Sequence, residues 1–308
     1  MKFLVTVSAL LATCSAHPTR RAEAPSAPNI TDVDILQYAL TLEHLEDKFY
    51  REGLANFTWE HFKEAGYSET FYKNLKEVSY DETTHVSFLT QALTAVNATP
   101  VAECTYAFGV TDVKTFLATA SILEGVGVSA YLGAAASIME KLYLTAAGSI
   151  LTVESRHSAY LRAANKQSPF PQAFDAPLTF DQVYTLAAPF IVSCPESNGM
   201  LPVKAFPMLA VDPECQGIKT NKTITLETPE PVAGYGQVGQ YFAAWISVTG
   251  PTFTNVTAVS DKKFSTMVPP GFHGQSYVVL TKEDGCVKDD CVVAGPAIVE
   301  VEGASGME

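Results

Sequence analysis

The stretch Val78-Ser-Tyr-Asp-Glu-Thr-Thr-His-Val-Ser-Phe-Leu89 places Glu82 and His85 three residues apart. Residues at positions i and i+3 lie on one face of an α-helix, so this carboxylate and this imidazole can reach the same metal ion. Apolar residues also recur here at helical spacing, which predicts an amphipathic helix facing a core. These apolar residues are Val78, Phe88, Leu89 and Leu93.

The same spacing returns at Glu154 and His157, within residues 150–161. Four-helix proteins that bind two metal ions take a Glu-x-x-His pair from each of two helices and a single Glu from each of the other two. The helical run before each pair contains such a residue, Glu43 in the first half and Glu124 in the second. The predicted ligands are Glu43, Glu82, His85, Glu124, Glu154 and His157.

A tyrosine follows each single Glu after seven residues, Tyr50 after Glu43 and Tyr131 after Glu124. Seven residues make about two helical turns, so each Tyr shares the face of its Glu. Glu46 competes with Glu43 as the ligand, and this spacing favours Glu43. The alternative for the whole pattern is a chance arrangement of helical faces. Against chance, Glu124 is the only charged residue between Lys114 and Glu140, which predicts a buried carboxylate that needs a partner or a metal.

Four segments, LTLEHLEDKFYREGL, DETTHVSFLTQAL, ASILEGVGVSAYLGAA and ILTVESRHSAYLR, resemble the ferritin-like superfamily. Their sequences resemble those of a fungal secreted group described as stress-response and late sexual-development proteins. A plant desiccation-related family is a more distant relative. The resemblance covers roughly residues 30–195. It implies a di-iron or di-manganese bundle in which Glu82 and Glu154 bridge the two ions and the other four ligands each cap one ion.

The resemblance makes Tyr50 and Tyr131 hydrogen-bond partners of the ligands or redox-active neighbours; ordinary core packing is the alternative. The ligand set itself is four carboxylates and two imidazoles. Such an oxygen-rich set favours two Fe or Mn ions over structural zinc, which prefers Cys and His.

The first residues predict passage through the secretory route. Residues 1–16 have a basic start, an apolar run and a small-residue end, as a signal peptide does, and residues 17–29 read as a leader or propeptide. Five Asn-x-Ser/Thr sequons indicate glycosylation. These begin at Asn29, Asn56, Asn97, Asn221 and Asn255. We expect a secreted, extracellular glycoprotein. The cell wall is one candidate location.

The formal charge of −13 argues against a nucleic-acid partner, because an acidic surface repels phosphates. We expect the protein to bind partners in the extracellular space or the cell wall through its C-terminal part. The apolar run 116–139 is long enough to span a membrane, but its central Glu and missing charged flanks favour a bundle helix. No membrane span is therefore predicted.

The predicted fold class is α+β, with a ferritin-like four-helix bundle over residues 30–193 and a small β-sandwich over residues 194–308. Four bundle helices are predicted. The first runs from about 34 to 53, the second ends at about 96, the third begins at about 112, and the fourth runs from about 140 to 165. A short fifth helix is predicted at 181–190. Strands are predicted at 223–226, 241–248, 276–281 and 297–301, between turn signals. No catalytic constellation is predicted there, and His273 is expected in a surface turn.

Secretion makes disulfides expected for the cysteines that follow the signal peptide. Cys286 and Cys291 are close enough in sequence to clip a hairpin. Cys194 has two candidate partners, Cys104 and Cys215, so one thiol is left over.

Two functions stay open. The first is a secreted di-metal oxidoreductase that reacts with oxygen or peroxide during stress or development. The second is a non-enzymatic extracellular or cell-wall protein in which the bundle is a scaffold, so the sequence does not decide whether the protein is an enzyme. Iron storage in a ferritin shell is disfavoured, because the β domain and glycans would have to fit a closed cage.

Overall fold

The computed structural model describes residues 30–232 and 241–307. The predicted signal peptide, the leader and the sequon at Asn29 lie outside these residues. Six α-helices occur in the described part of the chain. They are α1 (Asp32–Asn56), α2 (Trp59–Glu64), α3 (Glu69–Ala95), α4 (Val113–Ala134), α5 (Lys141–Ala164) and α6 (Phe180–Ala187).

The long helices begin at polar caps. The Thr31 hydroxyl accepts a hydrogen bond from the N–H of Asp34, and the Asp34 carboxylate accepts one from the N–H of Thr31. This reciprocal box satisfies N–H groups that have no partner within the helix. Asp112 caps α4 in the same way. The four long helices and α6 lie within a few residues of their predicted bounds, whereas α2 was not predicted as a separate helix.

The ends of the helices show how they are arranged. The side chain of Gln37, near the start of α1, donates to the carbonyl of Thr99, just after α3. Asp32 accepts from the N–H groups of Met139 and Glu140, after α4. Helix α1 is therefore antiparallel to both α3 and α4, and the segment between α3 and α4 crosses the length of the bundle. This is the connection that a ferritin-like topology requires.

Helix α4 meets the length and composition expected of a membrane span, over Val113–Ser137. However, 61% of that window is buried inside the structure. Its central Glu124 is fully buried among the other helices. The burial agrees with a bundle helix, as the sequence predicted.

One predicted core position of α3 is wrong. Phe88 is 44% exposed, whereas Val78, Leu89 and Leu93 are buried. Phe88 lies next to Leu89 in sequence, and consecutive helical residues point about 100° apart. The buried stripe is narrower than the apolar pattern suggested.

The C-terminal region forms two four-stranded antiparallel sheets. Their strands are β3 (Ala210–Val211), β4 (Thr223–Glu227), β5 (Phe242–Trp245), β6 (Thr252–Asn255), β7 (Thr257–Ala258), β8 (Lys263–Met267), β9 (Gly274–Thr281) and β10 (Val292–Val301). The first sheet has the strand order β10-β9-β5-β6, and the second has the order β3-β4-β8-β7. Side chains of both sheets share one core that includes Leu226, Trp245, Phe264 and Val278. The two facing sheets make the predicted sandwich.

Two shorter strands, β1 (Thr105–Tyr106) and β2 (Ile191–Ser193), pair with each other beside the bundle. A disulfide between Cys104 and Cys194 closes the same place. The second disulfide, Cys286–Cys291, confirms the predicted hairpin clip. Cys194 thus pairs with Cys104, and Cys215 is the free thiol among the cysteines of residues 30–232 and 241–307.

The first sheet packs directly on the bundle. The hydroxyl of Tyr277, on β9, donates to the carbonyl of Gly125 on α4 at 2.9 Å. Buried Arg162, on α5, makes two hydrogen bonds with Glu300 of β10 at 3.0 and 2.8 Å. The β region therefore supports the two helices that carry the second half of the predicted site.

The prediction for His273 is wrong, because its side chain is buried. Its turn lies beneath two other segments of the chain. The N–H of His273 donates to Gln172, and a side chain at Gly303 would touch its ring. The Pro and Gly residues predict the turn correctly, but they carry no information about which other segments of the chain cover it.

The described sequon residues, Asn56, Asn97, Asn221 and Asn255, are exposed. Glycans on these residues would not disturb the cores. Glycosylation itself stays a prediction.

Gly133 provides a test of the junction between α4 and the segment before α6. A Cβ at this position would lie 1.8 Å from the carbonyl oxygen of Leu178, so the backbone has to move. We expect Gly133→Ala to destabilise the protein by about 2–4 kcal/mol, as overpacking and lost contacts do. Thermal or denaturant unfolding measures the change.

Gly148→Ala is the matched control, because Gly148 is also helical and has no atom within 4 Å of its would-be Cβ. Alanine is the better helix former, so we expect a gain of about 0.5–1 kcal/mol. Equal effects at the two sites would contradict the described packing of α4.

Candidate metal centre

The structure brings all six predicted ligands into one cluster at the centre of the bundle. Glu43 comes from α1, Glu82 and His85 from α3, Glu124 from α4, and Glu154 and His157 from α5. All six are buried. Carboxylates are almost never fully buried without a partner, so the cluster requires compensating charge.

Two groups of four side chains have ligand atoms within 4.8 Å of one another. One group contains Glu43, Glu82, His85 and Glu154. The other contains Glu82, Glu124, Glu154 and His157. Glu82 and Glu154 belong to both groups, which is the position of a bridging carboxylate between two cations.

His85 faces carboxylates of the first group. Its Nδ1 lies 3.3 Å from Glu43 Oε2, 3.3 Å from Glu82 Oε2 and 3.4 Å from Glu154 Oε1. Burial lowers the pKa of His85, but its contacts with the carboxylates of Glu154, Glu43 and Glu82 outweigh burial and raise it well above its ordinary value. In the metal-free protein this imidazole carries the positive charge of the group.

His157 occupies the equivalent place in the second group. Its Nδ1 lies 3.1 Å from Glu82 Oε1 and 3.2 Å from Glu124 Oε2. Burial opposes its protonation, but hydrogen bonding with Glu124 prevails and raises the pKa of His157 to about 11. Its other nitrogen, Nε2, lies 3.1 Å from Asp81 Oδ2. A carboxylate on the second nitrogen fixes the ring of a metal-binding histidine.

Asp81 was not among the residues predicted from the sequence. The sequence shows only that Asp81 precedes the predicted ligand Glu82. Adjacent residues of a helix point in different directions, so this position did not indicate a place in the site. Asp81 reaches His157 because the two helices α3 and α5 lie side by side there. Sequence spacing within one helix cannot reveal such a contact.

The two tyrosines hydrogen-bond to the single glutamates, each across the bundle. Tyr50, on α1, donates to Glu124 Oε1 on α4, and Tyr131, on α4, donates to Glu43 Oε1 on α1. Each Tyr therefore serves the Glu of the other helix rather than its own. Burial is the largest cause that raises the pKa of both phenols, followed by the negative charge of the bonded Glu. Both hydroxyls stay protonated and act as donors.

A fifth buried carboxylate, Glu46, lies beside the six. A Cβ on Gly127 would lie 3.2 Å from Glu46 Oε1 and 3.0 Å from Glu154 Oε2, so both carboxylates approach the same bare position on α4. Burial, followed by repulsion from Glu154 and Glu82, raises the pKa of Glu46 well above its ordinary value. Glu46 belongs to neither four-residue group.

The shared glutamates also resist ionisation. Burial and repulsion from Glu124 raise the pKa of Glu82 to about 7. Burial and repulsion from Glu82 and Glu124 raise the pKa of Glu154 well above its ordinary value. In the metal-free protein these carboxyls bind protons where cations would otherwise neutralise them.

The donor set fits a metal pair. Four buried carboxylate oxygens have no hydrogen bond of acceptable geometry within the described chain: Glu43 Oε2, Glu82 Oε1, and Oε1 and Oε2 of Glu154. Some lie within 3.5 Å of a His nitrogen, but the angle is poor, so charge attraction rather than a hydrogen bond connects them. Oxygens aimed at a shared centre without donors are what cation coordination uses.

A third acidic and sulfur-containing group occurs at Glu283, Cys286 and Cys291. Its two sulfur atoms form a disulfide, so they are not thiolate ligands. The candidate metal centre is therefore the cluster in the bundle.

Comparison with known proteins agrees with this architecture. Residues 31–167 match the family model of the ferritin-like domain. The chain is also similar to Protein rds1 of Schizosaccharomyces pombe, with 25% identity over 330 aligned positions that cover 87% of this chain and 80% of that protein. The predicted fold class is confirmed: a ferritin-like helical domain precedes a β-sheet region. The fungal relative agrees with the resemblance in part, while the secreted, stress-related character stays a prediction.

The pKa shifts predict how the stability of the metal-free protein depends on pH. Glu82 has a pKa of about 7 in the folded protein against an ordinary value of 4.5, and His157 about 11 against 6.5. The folded state therefore binds more protons than the unfolded chain from pH 4.5 upward, so stability falls as pH rises. We expect the Tm of chelator-treated protein to fall by several degrees between about pH 5 and about pH 8.

Scanning calorimetry measures this slope, and Glu82→Gln should reduce it because the amide does not titrate. Glu77→Gln is the control, since Glu77 lies on the same helix but is exposed. Protein loaded with metal should show a smaller fall, because metal ligands bind in their deprotonated form. A Tm that rises with pH in the chelated protein would be inconsistent with the buried cluster.

Proposed function

We propose that the bundle holds two divalent iron or manganese ions and acts as a secreted oxidoreductase that reacts with oxygen or peroxide. The observation that supports this most is the sharing of Glu82 and Glu154 by two groups of four ligand residues. Four glutamates carry the charge that two divalent cations balance, with the imidazoles neutral. The ions would supply the redox change, and the chain supplies their site.

In this proposal Glu82 and Glu154 would contribute to the sites of both ions. Glu43 and His85 would complete the ligands of one ion, and Glu124 and His157 would complete the ligands of the other. Iron and manganese accept mixed carboxylate and imidazole ligands of this kind. A structural zinc site is disfavoured because such sites use tetrahedral Cys and His ligands, whereas this set is dominated by carboxylates.

The residues around the ligands hold them in place. Tyr131 and Tyr50 each fix one oxygen of a capping glutamate, which leaves the other oxygen to face the cation. Asp81 keeps Nδ1 of His157 directed into the cluster. Such partners in di-metal sites orient the ligands and tune the metal, so we assign the tyrosines a positioning role.

The burial of the ligand cluster is a second feature that supports the proposed function. The bundle core excludes water from the cluster, and electrostatic interactions are stronger there than in water. The same exclusion limits loss of reactive species to solvent. Both properties favour chemistry with oxygen or peroxide.

Secretion belongs to this proposal through the signal-peptide pattern of residues 1–16 and the exposed sequon residues. The two disulfides support it further, because disulfides persist in oxidising compartments.

Metal content measured by mass spectrometry tests the proposal. We expect about two iron or manganese ions per chain, and we expect Glu82→Ala to lose both, because Glu82 contacts both proposed positions. Glu77→Ala is the matched control on an exposed position of the same helix, and it should keep both ions.

A folded Glu82→Ala variant with unchanged metal content would refute the shared site. Folded wild-type protein that contains no metal when purified from its native source would instead favour the non-enzymatic scaffold.

A further inference from the structure

A cavity of about 200 Å³ lies where the bundle meets the β region. Its walls come from α1, α4, α6 and β10, and they are mostly aliphatic, with residues such as Leu45, Val126 and Ile298. An apolar cavity of roughly 150 Å³ is large enough to bind benzene. This cavity therefore has room for one aromatic ring with a short substituent.

Glu46 is the only ionisable residue among the described residues that line this cavity. Thr185, a polar neighbour, is already satisfied: its hydroxyl donates to the Asp181 carbonyl and accepts from the N–H of Phe206. No group in the described part of the chain donates a hydrogen bond to the Glu46 carboxyl. The side chain of Glu46 is 5% exposed and lies in the cavity wall, so a molecule in the cavity can supply the hydrogen bond that its carboxyl lacks.

Gly127 connects the cavity to the metal centre. It lines the cavity wall together with Glu46. Because Gly127 has no side chain, Glu46 and Glu154 both reach the surface of α4 at this point, 3.2 and 3.0 Å from the place of a Cβ. Any larger residue at position 127 would separate the cavity from Glu154.

We propose that this cavity binds a small organic molecule with an apolar body and a single hydroxyl group, and that Glu46 accepts the hydrogen bond of that hydroxyl beside Glu154. The position of the ligand next to a metal centre rests on the proposed function. The binding site itself rests only on the cavity and Glu46.

The chemistry of the walls selects the ligand class. Aliphatic walls favour an apolar body by the area they remove from water, and they disfavour an ionic ligand because its charge would lose hydration. A hydroxyl donates to a carboxyl oxygen whether that carboxyl is protonated or not. One hydroxyl is therefore the simplest group that supplies the hydrogen bond that the Glu46 carboxyl lacks.

Glu46 serves the ligand rather than the metal in this assignment. The two groups of ligand atoms close without it, and both depend on Glu43, Glu124 and the shared glutamates instead. Glu46→Gln should therefore keep the metal content of the wild type.

The test uses 4-ethylphenol and ethylbenzene as probes, which differ by one hydroxyl. Isothermal titration calorimetry on the full chain, with metal content determined on the same sample, measures both affinities. We expect 4-ethylphenol to bind about tenfold more tightly, which corresponds to one hydrogen bond of about 1.4 kcal/mol. The preference should persist after chelator treatment, because it does not depend on metal.

Variants of Glu46 test the hydrogen bond. Glu46→Leu should reduce the preference for 4-ethylphenol to about twofold or less, since leucine cannot accept a hydrogen bond. Glu46→Gln should retain most of the preference, because its amide oxygen accepts. A preference unchanged in folded Glu46→Leu would overturn the proposal.

A variant at the cavity rim tests the location without altering the cluster. Met208 lines the cavity and is 49% exposed, so Met208→Trp adds bulk at a position that tolerates it. We expect it to weaken both probes about tenfold. Met139→Trp is the control, because Met139 is 77% exposed and is not among the residues lining the cavity.

The outcomes separate this inference from the proposed function. Wild-type protein that binds no metal but prefers 4-ethylphenol would refute the di-metal function and support the ligand site. Wild-type protein with two ions but no binding of either probe, or equal binding of both, would overturn the ligand site alone. Loss of metal in Glu46→Gln would also overturn it, because Glu46 would then be a metal ligand.

Discussion

Repulsion among buried carboxylates is the constraint on which the rest of this structure depends. Five glutamates, Glu43, Glu46, Glu82, Glu124 and Glu154, are buried within one bundle core. Burial and repulsion from neighbouring carboxylates disfavour the ionised forms of Glu46, Glu82 and Glu154, and two imidazoles offset only part of the charge. A bundle would not keep such a core without cations or protons to balance it. The proposed metal pair would balance this charge and would also use the geometry of the candidate ligands.

The surrounding structure can be understood as support for this core. Crossed hydrogen bonds from Tyr50 and Tyr131 connect α1 with α4, and Asp81 connects α3 with α5. The β sheet reaches α4 and α5 through Tyr277 and Glu300. Each helix that contributes a ligand is therefore fixed by at least one contact from another element. Rigid placement of this kind is what a preorganised metal site requires.

The bundle and its ligands could be predicted because helical periodicity is local. Glu-x-x-His places two donors on one face whatever the tertiary structure, and two such pairs preceded by single glutamates indicate a known arrangement. Contacts between helices could not be predicted from spacing. The partner of Tyr50 is Glu124 rather than Glu43, and Asp81 and the nearby Glu46 become evident only once the helices are packed. His273 was misplaced for the same reason, since the segments that bury its turn are distant in sequence.

X-ray diffraction at the absorption edges of iron and manganese tests the central claim most directly. The account predicts two anomalous peaks in the bundle core, both within coordination distance of Glu82 and Glu154, with one near His85 and the other near His157. A single peak, or a peak that contacts neither Glu82 nor Glu154, would contradict it.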